Sequence, residues 1–203
     1  MKEFWDERYA ENELAYGEQP NTFVKEYLQG KNPGTILFPA EGQGRNAIFA
    51  ARLGWKVDAF DYSPVARKRA LDLAQQVQVS INYFVQDMLE YEPPELKYDV
   101  IFLCYIHLKP EWRSIFYPQL LKALKPKGVL VMEAFTKTQL AYQHLSGGPA
   151  NEMLLYTADI VRKDFQDLDE VYLEEMKTEL NEGKYHVGPA HIIRYIGRKQ
   201  PTK

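Results

Sequence analysis

The chain has 203 residues, enough for one sizeable hydrophobic core and few for two. Apolar residues make up 45% and charged ones 26%, which excludes a disordered, collagen-like or membrane-embedded polypeptide. Lysine and arginine number 25 against 28 aspartates and glutamates, and a net charge of −3 argues against a dedicated nucleic-acid binder.

No apolar run approaches the roughly 18 residues of a membrane span. The opening Met1-Lys2-Glu3-Phe4-Trp5-Asp6-Glu7-Arg8 is too acidic and aromatic for a signal peptide. The single cysteine, Cys104, excludes an internal disulfide, and no Cys/His spacing suits zinc. The expectation is one cytoplasmic domain over residues 1–203, with residues 1–30 as a helical N-terminal segment.

Through residue 135, short β-rich apolar runs alternate with helical patterns. Thr35-Ile36-Leu37-Phe38 reads as a buried strand behind the turn signal Asn32-Pro33-Gly34. A helix follows over 44–53, closed by Gly54. Residues 55–60 alternate as a second strand ending at Asp61, and Ser63-Pro64 opens a helix as N-cap and first helical residue. Residues 81–85 make a third strand.

The near-unbroken apolar run Asp99–Cys104 predicts a fourth, central strand buried on both faces. A helix is expected over 111–124, with Pro118 as a possible kink or break. Lys125-Pro126-Lys127-Gly128 reads as a turn into a fifth strand, 129–135. Beyond residue 136 lie a loop at Gly147-Gly148-Pro149, a short helix near 157–164, and two strands, 169–180 and 189–197. Asn181-Glu182-Gly183 between those strands is a hairpin signal. The alternation implies a doubly wound α/β fold with a mostly parallel sheet that finishes antiparallel.

In such sheets ligands bind outside the carboxyl ends of the strands. The first strand runs into Ala40-Glu41-Gly42-Gln43-Gly44-Arg45-Asn46-Ala47, where two glycines would let backbone approach a ligand. The helix behind them would offer N–H groups to an anion. Asp61, 17 residues past Gly44, can accept from both hydroxyls of a ribose. Asp87 and Met88 suit an adenine, one taking the exocyclic amine and the other lying on the ring.

These residues resemble the motifs of class I S-adenosylmethionine (SAM)-dependent methyltransferases, together with Asp99-Val100-Ile101-Phe102 and Leu124–Leu130. Within that family the chain is most similar to the tellurite-resistance (TehB-like) and thiopurine methyltransferase branch. That likeness rests on Trp5-Asp6-Glu7-Arg8-Tyr9, Tyr16-Gly17-Glu18-Gln19-Pro20-Asn21 and Glu41–Ala47. The resemblance implies a seven-stranded Rossmann-like sheet, SAM as cofactor and methyl transfer to a small soft nucleophile such as a thiol, tellurite or selenite. It implies cofactor contacts from Ala40, Glu41, Gly42, Gly44, Asn46, Asp61, Tyr62, Ser63, Asp87, Met88 and Cys104. Two positions depart from the pattern: Phe38 stands where many members carry an acid, and Ala40 where the loop's first glycine falls.

The N-terminal stretch, Phe4-Trp5 through Asn21, is the candidate lid, or else an amphipathic cover for a sheet edge. Tyr105 follows the fourth strand, where it could touch cofactor or acceptor. His107 beside it could do the same, or else serve as a surface or capping residue. Glu133, a carboxylate in an apolar strand, needs a cation or hydroxyl partner. His186 and Arg194 flank the hairpin. His186, placed in the loop, is the candidate catalytic base, and Tyr16, Tyr105, Glu133 and Arg194 are the candidate acceptor contacts. His191 reads equally as a strand surface residue, and Arg67-Lys68-Arg69 as a solvated face. Two other readings stand beside methyl transfer: an NAD(P)-dependent oxidoreductase using the same glycine loop, and a non-catalytic SAM-binding protein.

Overall fold

A computed structural model describes residues 2–11 and 13–201. Met1, Thr202 and Lys203 of the expected domain and Asn12 of the N-terminal segment lie outside the described residues. Residues up to Tyr91 together with Glu182–Lys184 form one compact unit. Glu92–Asn181 and the residues from Tyr185 onward form the other.

The first unit holds helices α1 (Lys2–Ala10) and α2 (Thr22–Leu28), strand β1 (Thr35–Pro39), α3 (Arg45–Arg52), β2 (Lys56–Asp61), α4 (Pro64–Gln76) and β3 (Asn82–Val85). β1 pairs with β2 and β2 with β3, both parallel. The expected caps are in place. Ser63 Oγ accepts the Ala66 N–H at 3.1 Å with Pro64 at the first helical position, and Gly54 leaves α3 at a φ of +88°. Ile36, Leu37, Phe38 and Phe60 are fully buried beside Ala47, Ala50, Ala66 and Ala70. The small alanines let helices approach closely, and each buried large side chain contributes about 1.5–3 kcal/mol. The basic cluster on α4 is only partly solvated. Arg67, though exposed, donates from Nε to the Tyr83 carbonyl, half-buried Arg69 donates to that of Glu11, and exposed Lys68 pairs with Asp72.

The second unit holds β4 (Tyr98–Cys104), α5 (Pro110–Ala123), β5 (Leu124–Phe135), α6 (Gln143–Ser146), α7 (Ala158–Asp164), β6 (Leu168–Glu182) and β7 (His186–Lys199). α5 runs unbroken through Pro118. The expected turn at 125–128 is instead a bulge inside β5: pairing slips from Tyr98↔Leu124 to Val100↔Val129, and Lys127 takes a φ of +66° to absorb the extra residues. β4 and β5 are parallel, whereas β7 runs antiparallel to β5 with Glu133 opposite Arg194 and Phe135 opposite Ile192.

The seven strands form one mixed sheet in the order β3-β2-β1-β4-β5-β7-β6, with an antiparallel finish. This is the doubly wound arrangement expected from the alternation, with the hairpin strands longer than their apolar patterning indicates. Among the described residues no helix is long and apolar enough to cross a membrane.

Candidate active site

In the first unit, β1 delivers the loop Ala40–Gly44. Three of its residues take left-handed backbone: Ala40 at φ +47°, Gly42 at +62° and Gly44 at +88°. Glycine adopts this conformation freely; at Ala40 the methyl group makes it unfavourable by about 1–2 kcal/mol.

Sequence reasoning assigned both glycines to ligand approach, but the structure gives each a protein neighbour. A Cβ on Gly42 would stand 2.8 Å from the Tyr9 hydroxyl, and one on Gly44 would stand 2.6 Å from Ala70 Cβ. Gly42 is thus the bed on which Tyr9 lies, and Gly44 lets α3 meet α4.

The N-terminus of α3 is likewise taken. Glu41 Oε1 accepts the N–H groups of Asn46 and Ala47, each at 2.8 Å, and Oε2 accepts Asn46 Nδ2 at 3.3 Å. The expectation of N–H groups open to an anion is therefore corrected: the chain's own carboxylate occupies them. Burial raises the Glu41 pKa to about 7, against the lowering pull of those hydrogen bonds and of Arg45.

A raised carboxyl makes folding less favourable as pH rises. The unfolded chain releases this proton near about pH 4 and the native state near 7, so stability falls between the two and stays low above. We expect the urea midpoint to drop from pH 5 to pH 8, and Glu41→Gln to shrink that drop. An unchanged drop in the variant would refute the assignment.

At the end of β2, Asp61 is buried. Its Oδ2 accepts the Gly42 N–H at 3.2 Å and its Oδ1 the Ser63 N–H at 2.9 Å. Burial raises its pKa to about 6; those two bonds lower it, and nearby Asp6 adds to the rise. Ser63 Oγ also donates to the Asp6 carboxylate. Tyr62 is pushed up to about 12 by burial, then by Asp61, Asp6 and Asp87. Asp87 is exposed, and its Oδ1 caps the turn after β3 through the Leu89 N–H at 2.9 Å, with Met88 half-buried beside it. The Tyr62 N–H also lowers the Asp61 pKa, and a carboxylate with about four acceptor sites still has capacity for a further donor such as a ribose hydroxyl. The set Asp61, Tyr62, Asp87 and Met88 fits an adenosine.

Buried polar groups fasten the N-terminal segment to the loop. Gln43 accepts the Ala15 N–H and donates to the Tyr9 carbonyl, and Asn46 Oδ1 accepts the Asn21 N–H. Arg45 donates to the Tyr16 carbonyl at 2.9 Å and pairs with Glu182 at 2.7 Å, and Asn21 Nδ2 donates to the same Glu182. The Tyr16 hydroxyl accepts from Arg8 at 3.3 Å. The three stretches that carry the TehB-like resemblance are therefore partners of one another.

In the second unit, β4 ends at half-buried Cys104, whose register neighbour on β5 is Glu133. Tyr105 follows at a φ of +52°, with its N–H donating to the Glu133 carbonyl at 2.8 Å. Its ring lies 4.7 Å from Phe135 and 4.6 Å from His186, while His107 stacks on Phe135 at 5.6 Å. His186 meets Phe135 edge-on at 5.2 Å.

His186 is not in a loop, as expected, but is the buried first residue of β7, because the hairpin ladder extends beyond its apolar pattern. Nor is His107 a surface or capping residue. Its Nδ1 donates to the Leu154 carbonyl at 2.8 Å, leaving Nε2 to accept the Phe135 N–H at 3.4 Å. Burial, with His186 nearby, lowers its pKa to about 4, so this ring is neutral at pH 7. Sequence reasoning missed Phe135 and the Leu154 partner of His107, which lies 47 residues from that histidine.

Glu133 finds its cation across the sheet: Arg194 Nε donates to Oε2 at 2.6 Å. Thr136 Oγ1 bonds His191 Nδ1 at 2.7 Å. Buried Gln139 ties the His191 N–H to Ser146 Oγ and the Gly147 carbonyl. Among the described residues no His, Cys, Asp or Glu cluster is arranged to hold a metal ion.

A methyltransferase domain family matches residues 36–128. Among solved structures, one described as the conversion of a disulfide bond into a thioacetal group during echinomycin biosynthesis superposes with a TM-score of 0.81 at 18% identity, covering 98% of this chain and 93% of that one. TehB from Haemophilus influenzae gives 0.73 at 15%, covering 98% and 67%. The N-methyltransferase NodS from Bradyrhizobium japonicum, bound to S-adenosyl-L-homocysteine, gives 0.69 at 15%, covering 98% and 97%. At these identities the likeness to each is one of fold. No curated protein sequence matches the chain.

Proposed function

We propose that the chain is a class I SAM-dependent methyltransferase that methylates a small soft nucleophile, a thiol ahead of tellurite or selenite, with His186 accepting the proton; the methyltransferase domain match over residues 36–128 supports the donor half of this reading. The same reading takes residues 1–203 as one catalytic domain working in the cytoplasm on a small molecule, without a nucleic-acid partner, and residues 1–30 as its lid. SAM, when bound, supplies a methyl group on a sulfonium, and displacement there requires an acceptor lone pair in line.

On the donor side, Asp61 would accept from the ribose hydroxyls and Asp87 from the adenine amine, with Met88 and Tyr62 flanking the nucleoside. On the acceptor side, Tyr105, Phe135 and His107 make an aromatic wall with His186 packed into it.

The observation that carries the acceptor reading is the contact of His186 with Tyr105 and Phe135, on the same ring that neutral His107 stacks against. An oxyanion needs charge compensation. His107 offers none at neutral pH, and Arg194 is engaged by Glu133. A neutral thiol, polarisable and weakly hydrated, suits such a wall, and as it reacts its proton passes to His186.

The test is S-adenosylhomocysteine formation from SAM across a panel of thiols, tellurite and selenite. Turnover is expected with at least one thiol. His186→Ala is expected to lower kcat about a hundredfold while leaving the SAM Kd unchanged. SAM binding without turnover on any member of the panel would overturn the acceptor reading.

A further inference from the structure

The polar side chains of the glycine loop and of Arg45 behind it, which could meet the amino-acid arm of SAM, already have partners within the first unit. Glu41 spends both carboxylate oxygens on Asn46 and Ala47. Arg45 holds the Tyr16 carbonyl and Glu182, and Gln43 holds Ala15 and Tyr9.

Much of the backbone is engaged as well: the N–H groups of Glu41, Gly42 and Gly44 donate to Phe60, Asp61 and Glu41, and the Gly42 carbonyl accepts from the Tyr83 hydroxyl. Gly42 lies under the Tyr9 hydroxyl, Gly44 lies against Ala70, and the remaining left-handed position, Ala40, carries a methyl group. The position two before Ala40 is the fully buried, apolar Phe38, which can neither pair with an ammonium nor bond a carboxylate. Asp61, by contrast, keeps acceptor capacity beyond the backbone N–H groups of Gly42, Ser63 and Tyr62.

We infer that this chain grips its donor by the adenosine, and that the glycine loop, satisfied by its own Glu41, contributes little to recognition of the methionine arm. The inference rests on the SAM-binding reading above. Its chemical consequence is a ligand class: 5′-thioethers of adenosine that lack the amino acid bind this site about as well as the full cofactor product.

The experiment is isothermal calorimetry of the full chain with S-adenosylhomocysteine, 5′-methylthioadenosine and SAM, a measurement that needs no turnover. The expected ratio of Kd values, 5′-methylthioadenosine over S-adenosylhomocysteine, is below ten. Ten is the lower end of what one charge-assisted hydrogen bond to an ammonium or carboxylate is worth. A ratio above ten overturns this inference and leaves SAM binding standing; no heat from any of the three overturns SAM binding and the inference together.

Glu41→Gln, which removes the negative charge from the N-terminus of α3, gives a second reading. It is expected to raise the ratio, because the helix end then accommodates a ligand carboxylate. An unchanged ratio in a variant that keeps its far-ultraviolet spectrum counts against the inference.

Discussion

Replacing Asp61 with asparagine is expected to weaken SAM binding about a hundredfold or more. Each ribose hydroxyl donating to an ionised carboxylate is worth about 1.5–3 kcal/mol, and the amide retains only one acceptor atom. The wild-type site adds a pH signature. Asp61 titrates near 6, raised chiefly by burial, and the double acceptor exists only above that value. Apparent affinity should therefore be about tenfold lower at pH 5 than at pH 7, by the factor one plus ten to the power of pKa minus pH. In Asp61→Asn this slope disappears. Calorimetry at pH 5, 6, 7 and 8 on both proteins reads the absolute loss and the slope together. Equal affinity in the two proteins would remove the ribose assignment, and a slope that survives in the variant would belong to another group. The thermal midpoint of the variant keeps binding separate from folding, since Asp61 also accepts the buried Gly42 and Ser63 N–H groups.

The second large effect concerns stability. Glu133 is buried on β5, and its Oε2 accepts Arg194 Nε from β7 at 2.6 Å. Removing one member of such a pair leaves the other charge in an apolar setting, so Glu133→Ala is expected to destabilise the fold by about 3–5 kcal/mol. Replacing both with apolar residues of similar size removes the stranded charge. Glu133→Leu combined with Arg194→Met is therefore expected to recover most of the loss. Urea denaturation of Glu133→Leu, Arg194→Met and the double variant, alongside Glu133→Ala, measures the cycle. If Glu133→Ala unfolds at the wild-type midpoint, the pair is not what holds these strands. If the stable double variant turns over thiols with normal KM, then Glu133 and Arg194 serve the sheet rather than the acceptor.

The alternation of strands and helices, the caps at Ser63 and Gly54, and the acid at the end of β2 were all legible in the sequence. They depend on periodicities and residue types within a few positions of each other, and a buried strand or a capped helix start is a local solution to burying apolar groups and pairing backbone N–H groups. Glu41 lies close to that boundary, since its partners are only five and six residues on. A glycine loop invites a ligand reading, however, and nothing local says that the loop's own acid fills the helix end.

The rest was settled by contacts far apart in the chain. Gly42 belongs to Tyr9, Arg45 to Glu182, Glu133 to Arg194 and His107 to Leu154. The Glu133 partnership follows from the β5–β7 register, in which a shift of one residue would turn Arg194 to the opposite face. The sequence by itself determined that a doubly wound sheet would carry Asp61 at the end of its second strand. Only the tertiary structure decided which polar groups remain available to a ligand, because a buried group takes the partner that packing brings to it, at whatever distance along the chain.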